Sequence, residues 1–338
     1  MSARYPGGLI TKTPVVPSGP YVCGTAPGIW TIDQMLTWQK AGLWPSATGG
    51  QAPGTFAIFA LGRSSCVNST IKDKYTYSGD VNAVATSATV GSRDQSAAGN
   101  ATRGIFALGF TTTAVTTRNK HTYSGCVVAS ATSASVVNYQ GSATGNSTRG
   151  IFALGQTCTA YSTTRNIYTY SGDTNGAAAA ASVASRGGAA AGNSTIGIFA
   201  LGNFCCGCSI TPITTRNKYT YATCTSASAT AASTTGGCSA AATGNSAAGI
   251  FALGGGTTTR NKYTYSGDVN AVATASSTGS NFGAAAGNST IGIFAIGQNL
   301  TTRNKYTYSG CVSASATASS AGTSGGSAAS NGTTGVNI

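Results

Sequence analysis

The sequence predicts an all-β fold: a six-bladed β-propeller, closed by its C-terminal strand and preceded by an extended N-terminal arm with one short helix. Two observations predict the propeller. The phrase Gly-Ile-Phe-Ala-Leu-Gly, intact or altered, occurs six times, and its phenylalanines follow one another at intervals of 43 to 52 residues. The repeated region shows short alternating segments and no helical period. The six phenylalanines are Phe59, Phe106, Phe152, Phe199, Phe251 and Phe294.

Each repeat divides into four short strands. A segment of small residues ends in Gly-Asn, and the phrase Ile-Phe-Ala-Leu follows and stops at a glycine that permits a turn. The third segment, Arg-Asn-Lys-Tyr-Thr-Tyr, places its two tyrosines on one face and its lysine on the other. A stretch of Val, Ala, Thr and Ser, such as 271–275, forms the outer strand. Four-stranded units repeated around an axis are typical of a β-propeller.

The two ends of the repeated region complement each other. The first copy, near Thr55, begins at the second strand and lacks a small-residue segment, whereas residues 325–332 form such a segment with no phrase after it. We therefore expect the C-terminal strand to complete the first blade and close the ring. A trimeric fibre or a β-solenoid is the alternative architecture, but a linear solenoid would not need this permuted arrangement.

The first fifty residues differ from the repeats, and the predicted domains are residues 1–50 and 51–338. Residues 1–27 are rich in Pro and Gly and indicate an extended arm. Residues 32–40 contain helix formers, with Thr31 as the N-cap and Gly42 beyond the end. This segment either packs as a small apolar cluster on the propeller or docks onto a larger assembly. The candidate docking residues are Trp30, Met35, Trp38 and Trp44.

The composition excludes most enzyme classes. The chain has 338 residues and a formal charge of +13, with six Asp, no Glu and a single histidine, His121. Few groups remain for acid–base or hydrolytic chemistry, so we expect a protein that is not an enzyme and that has no cofactor. The N-terminus lacks the apolar core of a secretory signal. No segment approaches the ~20 apolar residues of a membrane helix, so membrane insertion is not expected.

A ring of cations is the most suggestive candidate site, because Arg-Asn-Lys recurs at one place in the blades. Such a ring would bind an anionic polysaccharide or lipid head groups, whereas nucleic acid is not expected, since no recognition motif accompanies the charge. In the alternative interpretation, which repetition in every blade favours, the side-chain stems cover apolar surface between blades. The ring comprises Arg118, Lys120, Arg165, Arg216, Lys218, Arg260, Lys262, Arg303 and Lys305, with Lys72 and Lys74 in the altered first copy.

The ten cysteines and the turn residues give weaker signals. Cys205, Cys206 and Cys208 lie close together, and zinc ligation, a disulfide to Cys238, or burial as small residues each fit them. A turn after the third strand carries Asp80, Asp173 or Asp268 in three blades and Cys126, Cys224 or Cys311 in the others. A position that tolerates both is not expected to be a metal or catalytic site. The loops that differ most between blades, residues 156–162 and 203–213, form a second candidate patch.

The order of the repeat resembles a kelch repeat, in which an apolar strand ends in a glycine doublet and a tyrosine follows in the third strand. It departs from that pattern, because the doublet survives only at 254–256 and the fourth-strand Trp is absent. The arm, through residues 4–10, 28–31 and 42–45, resembles the N-termini of phage virion and tail-fibre-like proteins.

The second resemblance implies a structural or adhesive component of a phage tail or fibre. The arm would bind other virion proteins in an oligomeric particle, and the propeller would face partner proteins or host-surface polysaccharide. The alternative function is that of a bacterial extracellular protein that binds glycan or forms matrix.

Overall fold

The computed structural model describes Asp33 and residues 54–332 other than 65–66, 154, 158–159, 201, 207–208 and 236–238. The chain divides into two compact units, Met1–Pro53 and Gly54–Ile338. Apart from Asp33, the predicted arm and its short helix lie outside the described residues, and so do the docking residues Trp30, Met35, Trp38 and Trp44. Within the described part of the chain, no helix is both long and apolar enough to cross a membrane.

The second unit consists of six antiparallel four-stranded sheets, which are the blades. We number the blades in chain order and name their strands inner, second, third and outer. In that order, blade 1 contains Ser327–Ser330, Phe56–Ala60, Lys72–Thr76 and Val81–Ala85; blade 2 contains Ser96–Gly99, Arg103–Ala107, Arg118–Thr122 and Val127–Ala131; and blade 3 contains Ser142–Gly145, Arg149–Ala153, Arg165–Thr169 and Thr174–Ala178. Blade 4 contains Ala189–Gly192, Ile196–Ala200, Arg216–Thr220 and Thr225–Ala229; blade 5 contains Ala241–Gly244, Ala248–Ala252, Arg260–Thr264 and Val269–Ala273; and blade 6 contains Ala284–Gly287, Ile291–Ala295, Arg303–Thr307 and Val312–Ala316.

Residue size determines the place of each strand in its blade. The inner strands consist of Ala, Ser, Thr and Gly and are almost fully buried, since only small side chains fit where six strands meet around one axis. The second strands carry the buried Ile and Phe of the repeated phrase. Most outer-strand positions are exposed or partly exposed.

The ring is closed, as the ends of the repeated region predict. Ser327–Ser330 pairs with Phe56–Ala60 in the register Phe59 opposite Ala328. Each inner strand contacts the inner strands of both neighbouring blades, and these contacts continue without a break from blade 6 through blade 1 to blade 2. The prediction of a closed six-bladed β-propeller is confirmed, and the fibre and solenoid alternatives are excluded for the described residues.

In blades 2 to 6 the glycine before Ile-Phe allows two blades to touch, and in blade 1 the small residue Ala57 stands at this position. A Cβ atom on Gly104 would lie 2.8 Å from the Ala329 Cβ in the inner strand of blade 1. On Gly292 it would lie 2.4 Å from the Thr243 Cγ2 in blade 5. Because real Cβ atoms do not approach neighbours this closely, these two contacts require glycine.

Two further pieces of structure lie between second and third strands. Blade 1 carries a short hairpin of Arg63–Ser64 and Val67–Asn68, and blade 4 carries a longer one of Asn203–Cys206 and Ser209–Pro212. The longer hairpin corresponds to one of the divergent loops singled out in the sequence. Ser124–Cys126 forms one turn of 3-10 helix after the third strand of blade 2.

Candidate functional site

Each of the six blade interfaces contains a cation stacked on a phenylalanine ring. The first residue of each third strand places its charged group over the repeated phenylalanine of the next blade. For the five arginines the Cζ atom lies 4.4–4.7 Å from the ring centroid, and for Lys72 the Nζ atom lies 4.5 Å away. The pairs are Lys72–Phe106, Arg118–Phe152, Arg165–Phe199, Arg216–Phe251, Arg260–Phe294 and Arg303–Phe59.

Hydrogen bonds to the next blade hold each arginine in place. In the interface of blades 3 and 4, Arg165 donates through Nη2 to the Asn217 Oδ1 at 3.0 Å and through Nη1 to the Ser226 Oγ at 2.9 Å. Asn217 also accepts from the Ser182 amide of blade 3 at 3.0 Å. Burial lowers the pKa of Arg165 to about 10, so this guanidinium remains charged at neutral pH.

The same hydrogen-bond pattern continues around the ring, and only the acceptors change. The outer-strand acceptor is an Asn for Arg118, Arg216 and Arg303 and a Ser for Arg165 and Arg260. The third-strand acceptor is Asn166, Asn217, Asn261 or Asn304, and in blade 1 it is Asp73.

A second set of contacts lies nearer the rim of the interfaces and uses the turn aspartates. Lys120 binds Asp173 at 2.7 Å, Lys218 lies 3.8 Å from Asp268, and Lys305 lies 3.6 Å from Asp80. Burial opposes ionisation of the Asp173 carboxyl, but hydrogen bonds from Lys120, the Thr132 amide and Tyr168 outweigh it and hold its pKa below the usual range. These aspartates therefore join blades as anions at neutral pH.

The placement of the cations corrects the expectation of a ring open to an anionic ligand. The five arginines are fully buried between blades, so their charge is not presented to solvent; this agrees with the alternative that the stems cover apolar surface. Lys120, Lys218 and Lys305 are partly exposed, but each is paired with an aspartate of the next blade. Lys262 differs from them, because the residue beside its Nζ is Cys311, whose Sγ lies 3.7 Å away.

The turn position behaves as a structural one, in line with its sequence pattern. Asp80, Asp173 and Asp268 accept hydrogen bonds from the third-strand tyrosine hydroxyl five residues earlier. Both the aspartates and the three cysteines adopt positive φ between 48° and 54° there. His121 stands in place of that tyrosine in blade 2 and is fully buried.

Several predicted residues lie outside the described part of the chain. Cys208 and Cys238 are among them, and for Cys205 and Cys206 only the backbone is described, in the hairpin of blade 4. The zinc and disulfide interpretations of this group therefore stay predictions. Among the described residues, no group of three or more His, Cys, Asp or Glu side chains is placed to hold a metal ion.

A cavity of about 350 Å³ opens between blades 5 and 6. Blade 5 contributes Ala247, Ala248 and Lys262 to its lining, and blade 6 contributes Thr290 and Tyr308. The sequence does carry a signal for this cavity, although the sequence prediction did not use it. Four of the six repeats read Thr-Arg-Gly or Thr-Ile-Gly before the Ile-Phe phrase, whereas blade 5 reads Ala-Ala-Gly.

The residue that Ala248 replaces occupies the equivalent gap in the other blades. Arg103 of blade 2 extends across the interface and donates to the Tyr170 carbonyl of blade 3 at 3.0 Å. Arg149 makes the same contact with the Tyr221 carbonyl of blade 4 at 3.2 Å. In blades 4, 6 and 1 the position carries Ile196, Ile291 and Phe56. An alanine at this position leaves the interface of blades 5 and 6 open.

The fold and its interfaces define a protein of the six-bladed β-propeller class. Among solved structures, the fold is similar to YjhT (TM-score 0.58, 10% identity, 72% of this chain and 88% of that one). It is also similar to TolB from Acinetobacter baumannii (TM-score 0.55, 10% identity, 88% of this chain and 71% of that one). No family model matches the chain, and no curated protein matches its sequence. At this identity the likeness concerns the fold alone.

Proposed function

We propose that the chain is a non-enzymatic structural component of a phage particle, a tail or tail-fibre protein. Residues 1–50 attach it to other virion proteins, and the propeller faces neighbouring subunits or host-surface glycan. The protein is made in the host cytoplasm and resides in the virion. The observation that carries this proposal is that the third-strand arginines and four of the aspartates, Asp73, Asp80, Asp173 and Asp268, are used to join blades.

The aspartates illustrate this use. Asp73 lies in a fully buried ion pair with Arg303 at 3.0 Å. Asp80, Asp173 and Asp268 bind a tyrosine of their own blade and a threonine of the preceding one. An enzyme would keep a carboxylate free to meet its substrate, whereas these serve the interfaces of a stable ring.

The outer strands support a role in assembly. They carry exposed valines at the rim, on edge strands whose outward backbone groups have no strand beside them in their sheets. Exposed apolar edge strands are suited to contact other protein chains. The valines are Val81, Val84, Val127, Val269, Val272 and Val312, each more than half exposed. The kelch-like order of the repeat also fits a protein whose propeller serves as an interaction surface.

Deletion of residues 1–48 tests the proposal. Particles assembled with the deleted chain should lack it, as measured by immunoblotting of purified particles, while the deleted protein stays folded and in solution. A second variant replaces Trp30, Trp38 and Trp44 by alanine in the full chain. It should also reduce incorporation, because these are the predicted docking residues. Normal incorporation of the deletion variant would contradict attachment through the arm.

The second candidate function is that of a bacterial extracellular protein that binds glycan or forms matrix. The cavity between blades 5 and 6 is the observation that favours this function, because a protein can bind a glycan in such a cavity without being part of a virion. Binding of residues 50–338 to a glycan array would support an adhesive role in either setting. This part of the chain contains every strand of the closed ring. Presence of the protein in particles distinguishes the virion from the matrix.

A further inference from the structure

The geometry points to the cavity between blades 5 and 6 as a binding site for a carboxylated monosaccharide, a hexuronic acid either free or at the end of a glycan chain. Lys262 binds the carboxylate, and hydroxyl groups of the lining bind the sugar hydroxyls. This inference rests on the glycan-facing role proposed above and assigns that role to one site.

The charge of the cavity is the first argument. In the interfaces that follow blades 2, 4 and 6, the equivalent lysine is neutralised by an aspartate of the next blade. After blade 5 the aspartate is replaced by Cys311. A cation that lines a cavity without a carboxylate partner attracts an anionic ligand, and a carboxylate is the group that its sister lysines bind.

The interface after blade 1 shows why an open cavity matters as well. Lys74 also faces a blade with cysteine, Cys126, in the turn. Its Nζ, however, lies 4.4 Å from the centroid of the Phe56 ring, which fills the gap. After blade 3 the lysine itself is replaced by Ile167, and Arg149 crosses to the Cys224 Sγ at 3.2 Å. Only the interface of blades 5 and 6 combines a lysine, a missing acid and an alanine at the filling position.

The size and lining of the cavity favour a sugar over a bare ion. A volume of about 350 Å³ is at the small end of ligand sites and exceeds what a chloride or phosphate needs. Thr264, Ser289, Thr290 and Ser309 line it beside Lys262, and Ile250 and Tyr308 give it apolar walls. The Thr290 hydroxyl donates to the Asn288 Oδ1 at 2.9 Å. Hydroxyls around an apolar wall match the two kinds of surface of a pyranose ring.

Titration of the purified full-length chain with D-glucuronate, followed by NMR, tests the inference, with D-glucose as the neutral counterpart and a uronic-acid oligosaccharide as the polymeric one. Glucuronate should bind and glucose should bind at least about tenfold more weakly, since a hydrogen bond to a charged group is lost. If the oligosaccharide binds more tightly than D-glucuronate, the natural ligand is a glycan end. If the two bind equally, the natural ligand is the free acid.

Two variants copy what other blades already contain, so they are expected to fold. Ala248→Ile fills the cavity as Ile196 and Ile291 do, and Lys262→Ile removes the charge as Ile167 does. Each should weaken glucuronate binding about tenfold or more. Lys218→Ile removes a lysine from the interface of blades 4 and 5 and should leave binding unchanged. Thermal unfolding of each variant verifies the fold.

Cys311 provides a second readout. Bound glucuronate should slow alkylation of Cys311, resolved by peptide mass spectrometry, and leave Cys126 and Cys224 in the equivalent turns unaffected. Undetectable glucuronate binding, equal affinity for glucose, or unchanged binding by the two cavity variants would overturn the inference. None of these results bears on incorporation into particles, which the arm deletion measures separately.

Discussion

Blade 1 has two interfaces, and they differ in charge and in hydrogen bonding. Towards blade 6, Arg303 stacks on Phe59 and donates to Asp73 at 3.0 Å and to Asn82 at 2.7 Å. Towards blade 2, Lys72 stacks on Phe106, but its buried Nζ has no hydrogen-bond partner among the described residues. One interface is the most strongly charged of the six, and the other leaves a cation unsatisfied.

The residues around Lys72 differ from those of the other interfaces as well. Val128 stands where the other blades place an Asn or Ser acceptor, and His121 stands where they place a tyrosine. Neither ring nitrogen of His121 has a hydrogen-bond partner in the described structure. The difference shows that the interface has two separable parts. The stack of a cation on phenylalanine is kept around the whole ring. The hydrogen bonds differ where the arginine is lost: Val128 replaces the outer-strand acceptor, whereas the third-strand acceptor, Asn119, is kept.

The largest expected effect comes from removing the strand that makes blade 1 the closing blade. Deletion of residues 323–338 takes away Ser327–Ser330, which exposes the edge of Phe56–Ala60 and the Phe59 side chain beneath Arg303. We expect loss of cooperative unfolding, measured by circular dichroism during heating. Deletion of 333–338 alone removes no described residue and should leave the transition unchanged. A cooperative transition in the longer deletion would contradict closure through this strand.

The second largest effect concerns the buried pair of Asp73 and Arg303. Asp73→Leu leaves the Arg303 guanidinium without its partner in a site closed to water, which should lower the free energy of unfolding by about 3–5 kcal/mol. Asp73→Asn gives blade 1 the residue found in the other five blades and should lower the free energy of unfolding by about 1 kcal/mol or less. Urea denaturation of the two variants measures the difference. Equal losses would show that the charge of Asp73, and not its oxygen alone, is required.

The third prediction uses pH to examine the interface of blades 1 and 2. Burial, with a smaller contribution from the nearby Lys72, lowers the pKa of His121 to about 4. Since an unfolded histidine titrates near 6.5, the unfolded chain takes up a proton between pH 6.5 and 4 that the folded chain refuses. Stability should therefore fall as pH falls through this window, by about 2 kcal/mol.

His121→Tyr is the control for the pH prediction. It gives blade 2 the tyrosine of the other blades and removes the only histidine of the chain. The variant should lose the part of the dependence between pH 6.5 and 5 that comes from His121. The same slope in both proteins between pH 6.5 and 5 would refute the assignment to His121.

The repeated sequence carries most of the information about the fold. Phrases such as Gly-Ile-Phe-Ala-Leu-Gly predict the strands, and the small-residue segment at 325–332 predicts the closure. Strand alternation also predicts that Arg118 and Lys120 share a face. It does not tell which surface that face meets, because the contact with Phe152 joins residues 34 apart in different blades. The arginines could therefore be predicted as a group but not placed inside the interfaces.

The cavity was harder to predict for a related reason. A change to alanine in one repeat is an ordinary difference until the position is known to fill an interface. Arg103, Arg149, Ile196, Ile291 and Phe56 differ in chemistry, and their common role as fillers follows from the register of the second strand against the next blade. Once that register is known, the two alanines at 247 and 248 mark the cavity directly.

The smallest effect is expected from a double variant that removes the difference between the two interfaces of blade 1. Lys72→Arg with Val128→Asn supplies the donor and the outer-strand acceptor that the other interfaces possess. The Nη2 atom of the arginine introduced by Lys72→Arg can donate to the Asn119 Oδ1. This oxygen already accepts from the Thr89 amide at 3.1 Å. The double variant should be more stable than the natural chain by about 1 kcal/mol at pH 7.

The single variants separate the two parts of this effect. Lys72→Arg alone should gain less stability than the double variant, because one end of the guanidinium would face Val128 and have no hydrogen-bond partner there. Val128→Asn alone should be neutral or slightly destabilising, since Lys72 does not extend to the place of the missing donor. A positive coupling free energy in this double-mutant cycle would show that stack and hydrogen bonds act together. Strict additivity would show that the stack and the hydrogen bonds contribute independently.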